Sequence, residues 1–370
     1  MAITPMDETL AHQTPDTFDR VSTSDRNFYD RYYFNMHSKA GDLFLVFGLG
    51  QYPNLGTTDA FACLVYGGKQ YVVRCSRELQ NDRMNTTIGP FGTEIVKPLQ
   101  SMRIWCEKNE HGLAFDLVFE GTGPALEEPR QLIRKGPRIT MDTSRYTQMG
   151  AWNGSLTIKG ETIAIAADTH IGVRDHSWGV RSVGEREPMG IQINEYMTKY
   201  GFFHMWAPAQ FDDFQIKIFI EENADGSNIV EESIKIDTHE KGGAVHQLTQ
   251  PQHKIRYRSG TRELESAELN YLDENGKAVT MTCTPQIVAY LAAGTGYYPN
   301  EEWVHGQYHG PFKLEGVEFD LAERDSMGPL YETIVKFELS TGEVGYGMFE
   351  NMSMGHHDPY GFDSFEAVAD

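Results

Sequence analysis

Short apolar or alternating runs, each followed by turn residues, recur along most of this sequence, and helical periodicity is scarce. In the first half such runs cover residues 42–50, 61–74 and 102–121, with turn residues at Gly67-Gly68 and from Asn109 to Gly112. Glycine and asparagine at these points permit the positive backbone dihedral angles that hairpin turns require. The pattern therefore predicts antiparallel strands connected as meander hairpins.

The same alternation returns after Pro188 and continues to about residue 351. Two stretches of similar length, residues 21–187 and 188–360, thus share one arrangement of strands and turns, which we interpret as a weak internal duplication. The polar segment 1–20, which carries two prolines, is predicted to be an N-terminal tail laid over the surface. Residues 361–370 are predicted to form a C-terminal tail.

Closed sheets are the architecture that this strand pattern favours. The chain has 36 glycines and 12% aromatic residues. Closure removes the exposed edges of a sheet, and glycine permits the sharp corners that closure needs. A barrel of roughly eight to ten strands encloses room for one small apolar ligand. We predict an all-β fold of two lipocalin-like antiparallel β-barrels packed side by side, with a pair of β-sandwiches as the competing arrangement.

The composition and net charge of the chain argue against some classes of binding partner. The length of 370 residues suggests two domains, and a net charge of -21 would repel nucleic acid and anionic membrane surfaces. The sequence has no run near the roughly 18 apolar residues of a membrane span and no visible secretory signal, so we expect a cytoplasmic protein without a stable membrane anchor. The four cysteines lack paired spacing and are expected to be buried free thiols.

One polar and aromatic segment stands out from the strand background near the end of the first half. After a hairpin predicted at Lys159-Gly160, it reads Arg174-Asp175-His176-Ser177-Trp178-Gly179-Val180-Arg181. An acid, an imidazole, an indole and two guanidinium groups are costly to bury unless they satisfy one another or meet a ligand. We therefore take this segment as the leading candidate for chemistry.

The orientation of these side chains depends on the local backbone. On a regular strand Asp175 and Ser177 share one face, while Arg174, His176 and Trp178 share the other, so the two sets cannot line the same cavity. A bulge or turn at residues 177–179 would relax this alternation. Gly179 makes such a kink inexpensive, because glycine adopts backbone conformations that other residues avoid.

The segment from Arg174 to Arg181 resembles the signature of the AttH-like family, which contains the carotenoid 1,2-hydratases (hydroxyneurosporene synthases). The preceding hairpin, from Gly154 to Gly160, and the β-rich halves on either side are part of this resemblance. The chain is also similar to the wider group of double-lipocalin proteins that includes kievitone hydratase and fungal decalin-forming cyclases. The resemblance covers most of the chain, from about Phe28 to Asn351.

This resemblance implies two lipocalin-like barrels and cofactor-free addition, elimination or cyclisation on hydrophobic small molecules. It assigns the motif acid to Asp175 and the motif indole to Trp178. Hydration of an alkene requires a carboxylic acid that stays neutral near pH 7, and an apolar pocket would raise the pKa of Asp175. In the reverse direction, ionised Asp175 or His176 would act as general base for dehydration or carbon–carbon cleavage.

Aromatic faces would stabilise a developing carbocation by about 0.5 to 2 kcal/mol each without trapping it. Arg181 is expected to contact substrate at the end of the same segment. Structural interpretations stand beside these: Asp175 as an ion-pair partner of its neighbouring arginines, Trp178 as an interface residue, and His176 as a hydrogen-bonded core histidine. The candidate aromatic walls are Tyr146, Trp152, Trp178, Trp206 and Trp303.

A second polar cluster, Trp303-Val304-His305-Gly306-Gln307-Tyr308-His309-Gly310, lies in the second half. On a strand His305, Gln307 and His309 would share one face. Structural hydrogen bonding is one interpretation of this cluster, and pocket lining in the second barrel is the preferred functional one. A metal pair of the two histidines is formally open, but there is no HExxH motif and the glycines argue against a helix, so we predict no metal site. Tyr346 and Glu350, near the end of the last predicted strand, would close the pocket or serve strand closure alone.

These observations predict a cofactor-independent lyase, in first place a hydro-lyase, acting on a hydrophobic isoprenoid or aromatic molecule near Asp175 and Trp178. The absence of GxGxxG, GxxxxGK[ST] and GxSxG motifs removes support for nucleotide-dependent chemistry and for a typical serine hydrolase, and we expect no cofactor. The alternatives are a non-catalytic carrier of hydrophobic ligands and a cofactor-free isomerase or cyclase. The direction of the reaction, the substrate and a homodimeric state stay open.

Overall fold

The computed structural model describes residues 5–135, 138–181, 201–297 and 303–370. Within these residues the chain forms two antiparallel sheets of 13 and nine strands, each curled into a nearly closed barrel. The predicted all-β fold of two lipocalin-like barrels is confirmed. None of the helices in these ranges has the length and apolar character of a membrane span. The helices are short 3-10 segments at Pro5–Glu8, Pro53–Leu55, His239–Lys241, Leu321–Ser326 and Asp358–Tyr360.

The first sheet is built mainly from the first half of the chain. Its strands are β1 Phe28–Ser38, β2 Leu43–Tyr52, β3 Thr57–Tyr66, β4 Lys69–Glu78, β5 Phe91–Lys97, β6 Ser101–Cys106, β7 Leu113–Gly121, β8 Leu126–Glu127, β9 Gln131–Lys135, β10 Arg138–Ile158, β11 Glu161–Ile165, β12 His170–Arg181 and β20 Phe312–Asp320. They follow the spatial order β20-β4-β3-β2-β1-β12-β10-β7-β6-β5, and β8, β9 and β11 pair with β10.

The second sheet contains the remaining strands of the described residues. These are β13 Gly201–Gln210, β14 Phe214–Asn223, β15 Asn228–Asp237, β16 Val245–Gln247, β17 Thr249–Tyr257, β18 Leu264–Leu272, β19 Ala278–Ala289, β21 Glu332–Leu339 and β22 Val344–Gly355. Their spatial order is β16-β15-β14-β13-β22-β21-β19-β18-β17, which places β13 against β22, the last strand of the chain.

One strand from the second half of the sequence belongs to the first sheet. β20 pairs antiparallel with β4, from Phe312 opposite Arg77 to Asp320 opposite Lys69. The predicted boundary, which gave all of residues 188–360 to the second barrel, is therefore corrected at this strand. Without β20, β4 would be an open sheet edge. Main-chain pairing can cover such an edge with a strand from anywhere in the chain, so the alternating pattern does not reveal the exchange.

The hairpin turns predicted from glycine positions are present. β3 and β4 are joined by Gly67 and Gly68 alone, with φ values of 60° and 79°. β10 and β11 are joined by Lys159 and Gly160, with φ values of 49° and 90°. Positive φ at both central residues is the geometry of the two-residue turns that match strand twist. The hairpin that precedes the motif is thus formed as predicted.

The three largest apolar clusters of the described residues fill different compartments. One occupies the interior of the first barrel, around Phe47 and Trp152, and another fills the second barrel, around Phe203 and Met281. The third lies between the two sheets, in a region that we call the seam. The seam cluster includes Tyr33, Val173, Trp206, Ile334 and Met348. The two barrels are therefore joined by a shared core.

The four cysteines are buried and free, as the sequence predicts. Cys75 and Cys106 belong to the core of the first barrel, Cys283 to that of the second, and Cys63 to the seam. Burial raises the pKa of Cys75 to about 12 and raises the pKa of Cys63, Cys106 and Cys283 still further. The neutral thiols are not nucleophiles, so they serve as packing residues.

A carboxylate and two imidazoles close one end of the second barrel. Glu222 accepts hydrogen bonds from His253 Nε2 and His357 Nε2, each at 2.9 Å and each on its own carboxylate oxygen. Phe203 stacks on both imidazoles, with ring centroids 4.6 and 5.0 Å apart. Burial opposes the charge of Glu222, but the two imidazoles outweigh it and lower its pKa to about 2. Because His357 precedes the helix Asp358–Tyr360, these bonds tie the C-terminal segment to the barrel.

We expect Glu222→Gln to lower the free energy of unfolding by about 3 kcal/mol at neutral pH, because the buried imidazoles lose their charged acceptor. In the unchanged protein the same contribution should be lost as the pH falls from 4.5 to about 2, since the carboxyl must then be protonated. Urea unfolding at neutral and acid pH measures both effects. The control Glu265→Gln removes an exposed partner of Arg256 and should leave stability nearly unchanged; equal losses in the two variants would contradict the assignment.

Candidate active site

The strand that carries the motif is regular from end to end. β12 pairs with β1 on one side and β10 on the other, and each pairing keeps a single register across residues 174–180. A bulge at residues 177–179 is therefore absent, and the side chains alternate strictly. Gly179 has a φ of 131°, and a Cβ there would lie 2.1 Å from the carbonyl oxygen of Asp142. Gly179 thus allows β10 to lie close to β12, and it does not form the predicted kink.

This regular alternation separates the two residues that the sequence proposes as catalytic. Val173 lies in the seam, and Asp175 and Arg181 follow on the same face of the strand. Arg174 points into the first barrel, where its guanidinium lies 5.6 Å from the ring of Phe119. His176 and Trp178 share that second face. Asp175 and His176 therefore belong to two different places.

Asp175 lies in the seam among charged side chains. Its side chain is 14% exposed, and its Oδ2 lies 3.9 Å from Nε of Arg145. Burial raises the pKa of Asp175 above its ordinary value, and the nearby Arg145 partly offsets that rise. The expectation of an inward-facing aspartate is met, but its surroundings are polar and not the apolar hollow that we predicted. The reason is that β10 presents Arg145 on the same face.

The carboxylate of Glu128 is held in place in the seam by hydrogen bonds and ion pairs. Glu128 accepts hydrogen bonds from Trp206 Nε1 at 3.0 Å and Thr147 Oγ1 at 3.1 Å. It also forms ion pairs with Lys217 at 3.2 Å and with Arg145 at 3.4 Å. Burial opposes its charge, but these cations lower its pKa overall. Glu128 therefore stays ionised and holds Arg145 beside Asp175.

Two further carboxyl groups face each other in the seam. Glu332 of β21 and Glu350 of β22 are directly opposite in the strand pairing. Glu332 is 3% exposed, whereas the Glu350 side chain is 25% exposed. Burial, together with the negative charges of Glu350 and Asp175, raises the pKa of Glu332 well above its ordinary value. The surroundings of Glu332 therefore favour its protonated form.

Hydrogen bonds fix the position of the proton on Glu332. Asn35 Nδ2 donates to Tyr33 Oη at 3.2 Å, and Tyr33 Oη donates to Glu332 Oε2 at 2.6 Å. Asn35 is itself oriented by the backbone N–H of Val173, which donates to its Oδ1 at 2.9 Å. Because Oε2 of Glu332 accepts a hydrogen bond, the proton of the neutral acid belongs on Oε1.

A histidine keeps the other carboxyl group ionised. His204 Nδ1 lies 3.0 Å from Glu221, and its Nε2 lies 3.8 Å from Glu350. Burial acts to lower the pKa of His204, but hydrogen bonding to these two acids outweighs it and raises the pKa to about 9. Burial likewise opposes the charge of Glu350, and the charges of His204 and Arg145 lower its pKa overall. The pKa values of Glu332 and Glu350 are thus shifted in opposite directions.

One end of the seam contains His305, in a different place from the one we predicted. The segment around it is a loop, not a strand, and it packs on the first sheet. His305 Nε2 lies 3.3 Å from an Arg31 nitrogen, and Gly306 N donates to Asp59 at 2.7 Å. Burial and Arg31 lower the pKa of His305 to about 4, so it is neutral. The cation of Arg31 lies 4.6 Å from the ring of Tyr297. The loop packs on the first sheet, and not in the second barrel, because the carboxylate of Asp59 accepts a hydrogen bond from the backbone N–H of Gly306.

His309 and Trp303 lie apart from His305. Their rings stack with centroids 4.2 Å apart, and Arg74 of β4 lies 4.8 Å from the Trp303 ring. They therefore pack beside the first sheet and do not line the second barrel. Among the described residues no group of three or more His, Cys, Asp and Glu side chains is arranged to hold a metal ion.

Three of the predicted residues meet at the mouth of the first barrel. His176 Nε2 lies 2.7 Å from Asp30 Oδ1, and the imidazole forms edge contacts with Tyr146 and Trp178 at centroid distances of 5.4 and 5.2 Å. Trp178 is 38% exposed. Tyr32 packs against the same imidazole at 4.6 Å. The structure thus joins His176, Tyr146 and Trp178 and places them away from Asp175.

The last two predicted contact residues take separate positions. Trp152 is fully buried in the first barrel, where Nε1 donates to the carbonyl oxygen of Asn35 at 2.9 Å. It is packed between Phe34 and Phe119 and serves as a core residue. Tyr346 lies on the same face of β22 as Met348 and Glu350. It is further along the strand and does not belong to the seam cluster.

Sequence reasoning missed most of the charged residues of the seam. Glu332 carried a detectable signal, because it is an acid in phase with Ile334, a buried apolar residue of the same strand. A charged residue on the apolar face of a strand is costly to bury unless it is paired or neutral. Glu350 was considered only for pocket closure. The others were missed because they come from separate parts of the chain: Tyr33 of β1, Glu128 just after β8, Arg145 of β10 and His204 of β13.

The pKa of His204 predicts how stability depends on pH. Its raised pKa stabilises the fold fully below pH 6.5, and this contribution is lost as the pH rises to about 9. Glu332 acts in the same direction, because stability is lost as the pH rises above 4.5. We expect His204→Gln to flatten the decline in unfolding free energy between pH 6.5 and 9, measured by urea unfolding. The half-buried pair of His246 with Asp237 supplies the control His246→Gln, and an unchanged decline in His204→Gln would refute the prediction.

The fold is shared with several proteins of known structure. An AttH-like protein of Nitrosomonas europaea, NE1406, is 14% identical with a TM-score of 0.50, over 90% of this chain and 94% of that protein. CghA is 10% identical with a TM-score of 0.51, over 90% of each chain. Kievitone hydratase of Nectria haematococca is 12% identical with a TM-score of 0.42, over 87% of this chain and 88% of that protein.

The likenesses to NE1406 and to CghA confirm the predicted double-lipocalin resemblance at the level of fold. At such low identities they establish the architecture alone. No curated protein matches the sequence. The match of a family model extends from residue 3 to residue 363, which is nearly the whole chain. The chain therefore belongs to a family of unknown function, DUF8625.

Proposed function

We propose that this protein is a cofactor-independent enzyme that adds water to, or removes water from, a hydrophobic small molecule held in the seam. The observation that carries the proposal is the pair Glu332 and Glu350, two carboxyl groups on directly opposed strand positions whose pKa values are shifted in opposite directions. Environments that separate the pKa values of neighbouring acids supply a general acid and a general base in one site.

The chemistry that this pair supports is a balanced hydration. Glu332 donates the proton on Oε1 to one alkene carbon, and a water molecule bonds to the adjacent carbon while it gives a proton to Glu350. The proton on Glu350 then returns to Glu332, which faces it across the strand pair, so both acids regain their starting states. Dehydration is the same sequence in reverse. Each positioned proton transfer contributes about 10² to 10⁴-fold in rate.

The remaining seam residues orient these two acids. Tyr33 fixes Glu332 through a hydrogen bond, and His204 holds the charge of Glu350. Asp175, restrained by Arg145 and Arg181, adds negative charge that keeps Glu332 protonated and can stabilise a cationic intermediate. We therefore keep Asp175 in the proposed site, in an electrostatic role.

The walls of the seam support a substrate with a large apolar part. Trp206, Met348 and Val173 belong to the seam cluster, and the ring of Tyr297 packs against it. Aromatic faces of this kind stabilise positive charge that develops on carbon. We propose an isoprenoid or an aromatic alkene, or the corresponding alcohol, as the substrate class.

The reaction type is tested with a panel of isoprenoid and aromatic alkenes and their tertiary alcohols, in water enriched in heavy oxygen. Mass spectrometry of the products then distinguishes the candidate functions. A heavy hydroxyl group in the product supports hydration, and the loss of water from an alcohol supports dehydration. An isomer without water uptake favours an isomerase or cyclase, and tight binding without conversion favours a carrier.

We expect Glu332→Gln to lower kcat by about 100-fold or more on any substrate found, because glutamine keeps the bond from Tyr33 but cannot donate an acidic proton. The matched control is Glu338→Gln, an exposed acid on the same strand that pairs with Lys336. Steady-state kinetics measures both variants. Full activity in Glu332→Gln would remove Glu332 as the acid, and with it the proposed mechanism.

Asp175→Asn tests the acid that the sequence motif supplies. We expect turnover to be lost while substrate affinity, measured by titration calorimetry, stays within a few fold, because asparagine preserves shape but not charge. Thermal unfolding of the variant checks that the fold is intact. Retained turnover would remove Asp175 from the chemistry and leave it as an ion-pair partner of Arg145.

A further inference from the structure

The other face of β12 borders a cavity of about 520 Å³ at the mouth of the first barrel. Its size is within the roughly 300 to 1,000 Å³ that small-molecule sites occupy. The segment that precedes β1 crosses it, since Met6 and Phe18 contribute to its lining. Its apolar lining residues are Met6, Phe18, Leu49, Met84 and Ile95.

The polar part of this cavity is a carboxylate that holds an imidazole and a guanidinium. Asp30 Oδ1 lies 2.7 Å from His176 Nε2, and Asp30 Oδ2 lies 3.3 Å from an Arg83 nitrogen. Arg83 is fixed from its other side, because its Nε donates to Gln51 Oε1 at 3.2 Å and its carbonyl oxygen accepts from Gln51 Nε2 at 2.6 Å. The group is built from β1, β2, β12 and the loop after β4, so it is a preformed arrangement.

The bond to Asp30 determines what the imidazole offers to a ligand. When Nε2–H donates to the carboxylate, Nδ1 carries the lone pair and accepts a hydrogen bond. The rings of Tyr32, Tyr146 and Trp178 surround the imidazole at centroid distances of 4.6, 5.4 and 5.2 Å, which fixes its plane. The site therefore presents one oriented acceptor next to aromatic faces.

The charge balance of the site selects against an anionic ligand such as a fatty acid. The carboxylate of Asp30 is matched by the guanidinium of Arg83, and Glu94 at the rim is matched by Arg103 at 3.5 Å. The other cation of the lining, Arg31, directs its guanidinium to Tyr52 and His305 on the opposite face of β1, so among the described lining residues no cation is left to bind a carboxylate group. A neutral ligand with a hydroxyl donor and a flat apolar body fits the oriented acceptor, the rings and the apolar lining together.

We infer that the mouth of the first barrel is a binding site, separate from the seam, for a hydroxylated aromatic molecule whose hydroxyl group donates to the Asp30–His176 pair. The inference does not depend on the proposed function, because β12 places this site and the seam on opposite faces. The same short sequence segment thus serves two compartments.

Two coumarins test the inference on the unmodified protein. Umbelliferone carries a ring hydroxyl group, and coumarin is the same ring system without it. We expect umbelliferone to bind about tenfold more tightly, by fluorescence titration, because a hydrogen bond to a charged pair is worth roughly that ratio. Decanoate, added as a fatty-acid competitor, should not displace it. Equal affinity for both coumarins, no measurable binding of umbelliferone, or displacement by decanoate would overturn the inference.

Variants locate the bound probe. Asp30→Asn and His176→Phe should each weaken umbelliferone about tenfold and leave the weak binding of coumarin unchanged. The first removes the charge that holds the proton on Nε2, the second removes the acceptor itself, and both keep the apolar walls. Two variants guard against the failure of one to fold, which thermal unfolding detects. Glu332→Gln, in the seam, should keep the affinity for umbelliferone within twofold. Loss of umbelliferone binding in Glu332→Gln, or its retention in both mouth variants, would place the probe elsewhere and refute the site, whatever the outcome for catalysis.

Discussion

β12 is hydrogen-bonded on both sides, to β1 and to β10, so its side chains can only alternate between the interior of the first barrel and the seam. Every functional assignment in this protein follows from that constraint. Asp175 and Arg181 lie in the seam, and His176 and Trp178 lie at the barrel mouth. A segment that forms one cluster in the sequence therefore contributes side chains to two different compartments, and the motif alone does not reveal this.

Ion pairs as well as apolar packing join the two barrels at the seam. Each ionised acid there has its own cation: Glu128 has Lys217 and Arg145, and Glu350 has His204. Glu332 has a tyrosine hydroxyl instead, and a buried carboxyl group without a cation takes up a proton. The distribution of three basic groups among the acids thus selects which carboxyl group has the raised pKa. The first sheet contributes Tyr33 and Arg145, while the second contributes both acids of the pair, so the arrangement exists only when the barrels are packed together.

The fold was predictable because its signals are local. Alternation of period two, glycines at Gly67-Gly68 and at Gly160, and the scarcity of helical periodicity describe strands and hairpins without reference to distant residues. The placement of Asp175 on an inward-facing strand position was also predictable. The charged nature of its surroundings was not, because Arg145 and Glu332 come from strands 30 and 157 positions away in the sequence. The loop around His305 was misjudged for the same reason, since Asp59 of β3 and Arg31 of β1 hold it.

The sequence by itself determined the strand class, the turns, the double-barrel resemblance and the identity of the short segment with unusual polarity. Tertiary structure alone decided that β20 completes the first sheet, that Asp175 and His176 face different compartments, and that burial raises the pKa of Glu332. The physical reason is the distance along the sequence over which each interaction acts. Side-chain alternation and turn geometry act between neighbours in the chain, whereas strand exchange, burial and the pairing of charges depend on which strands the closed sheets bring together.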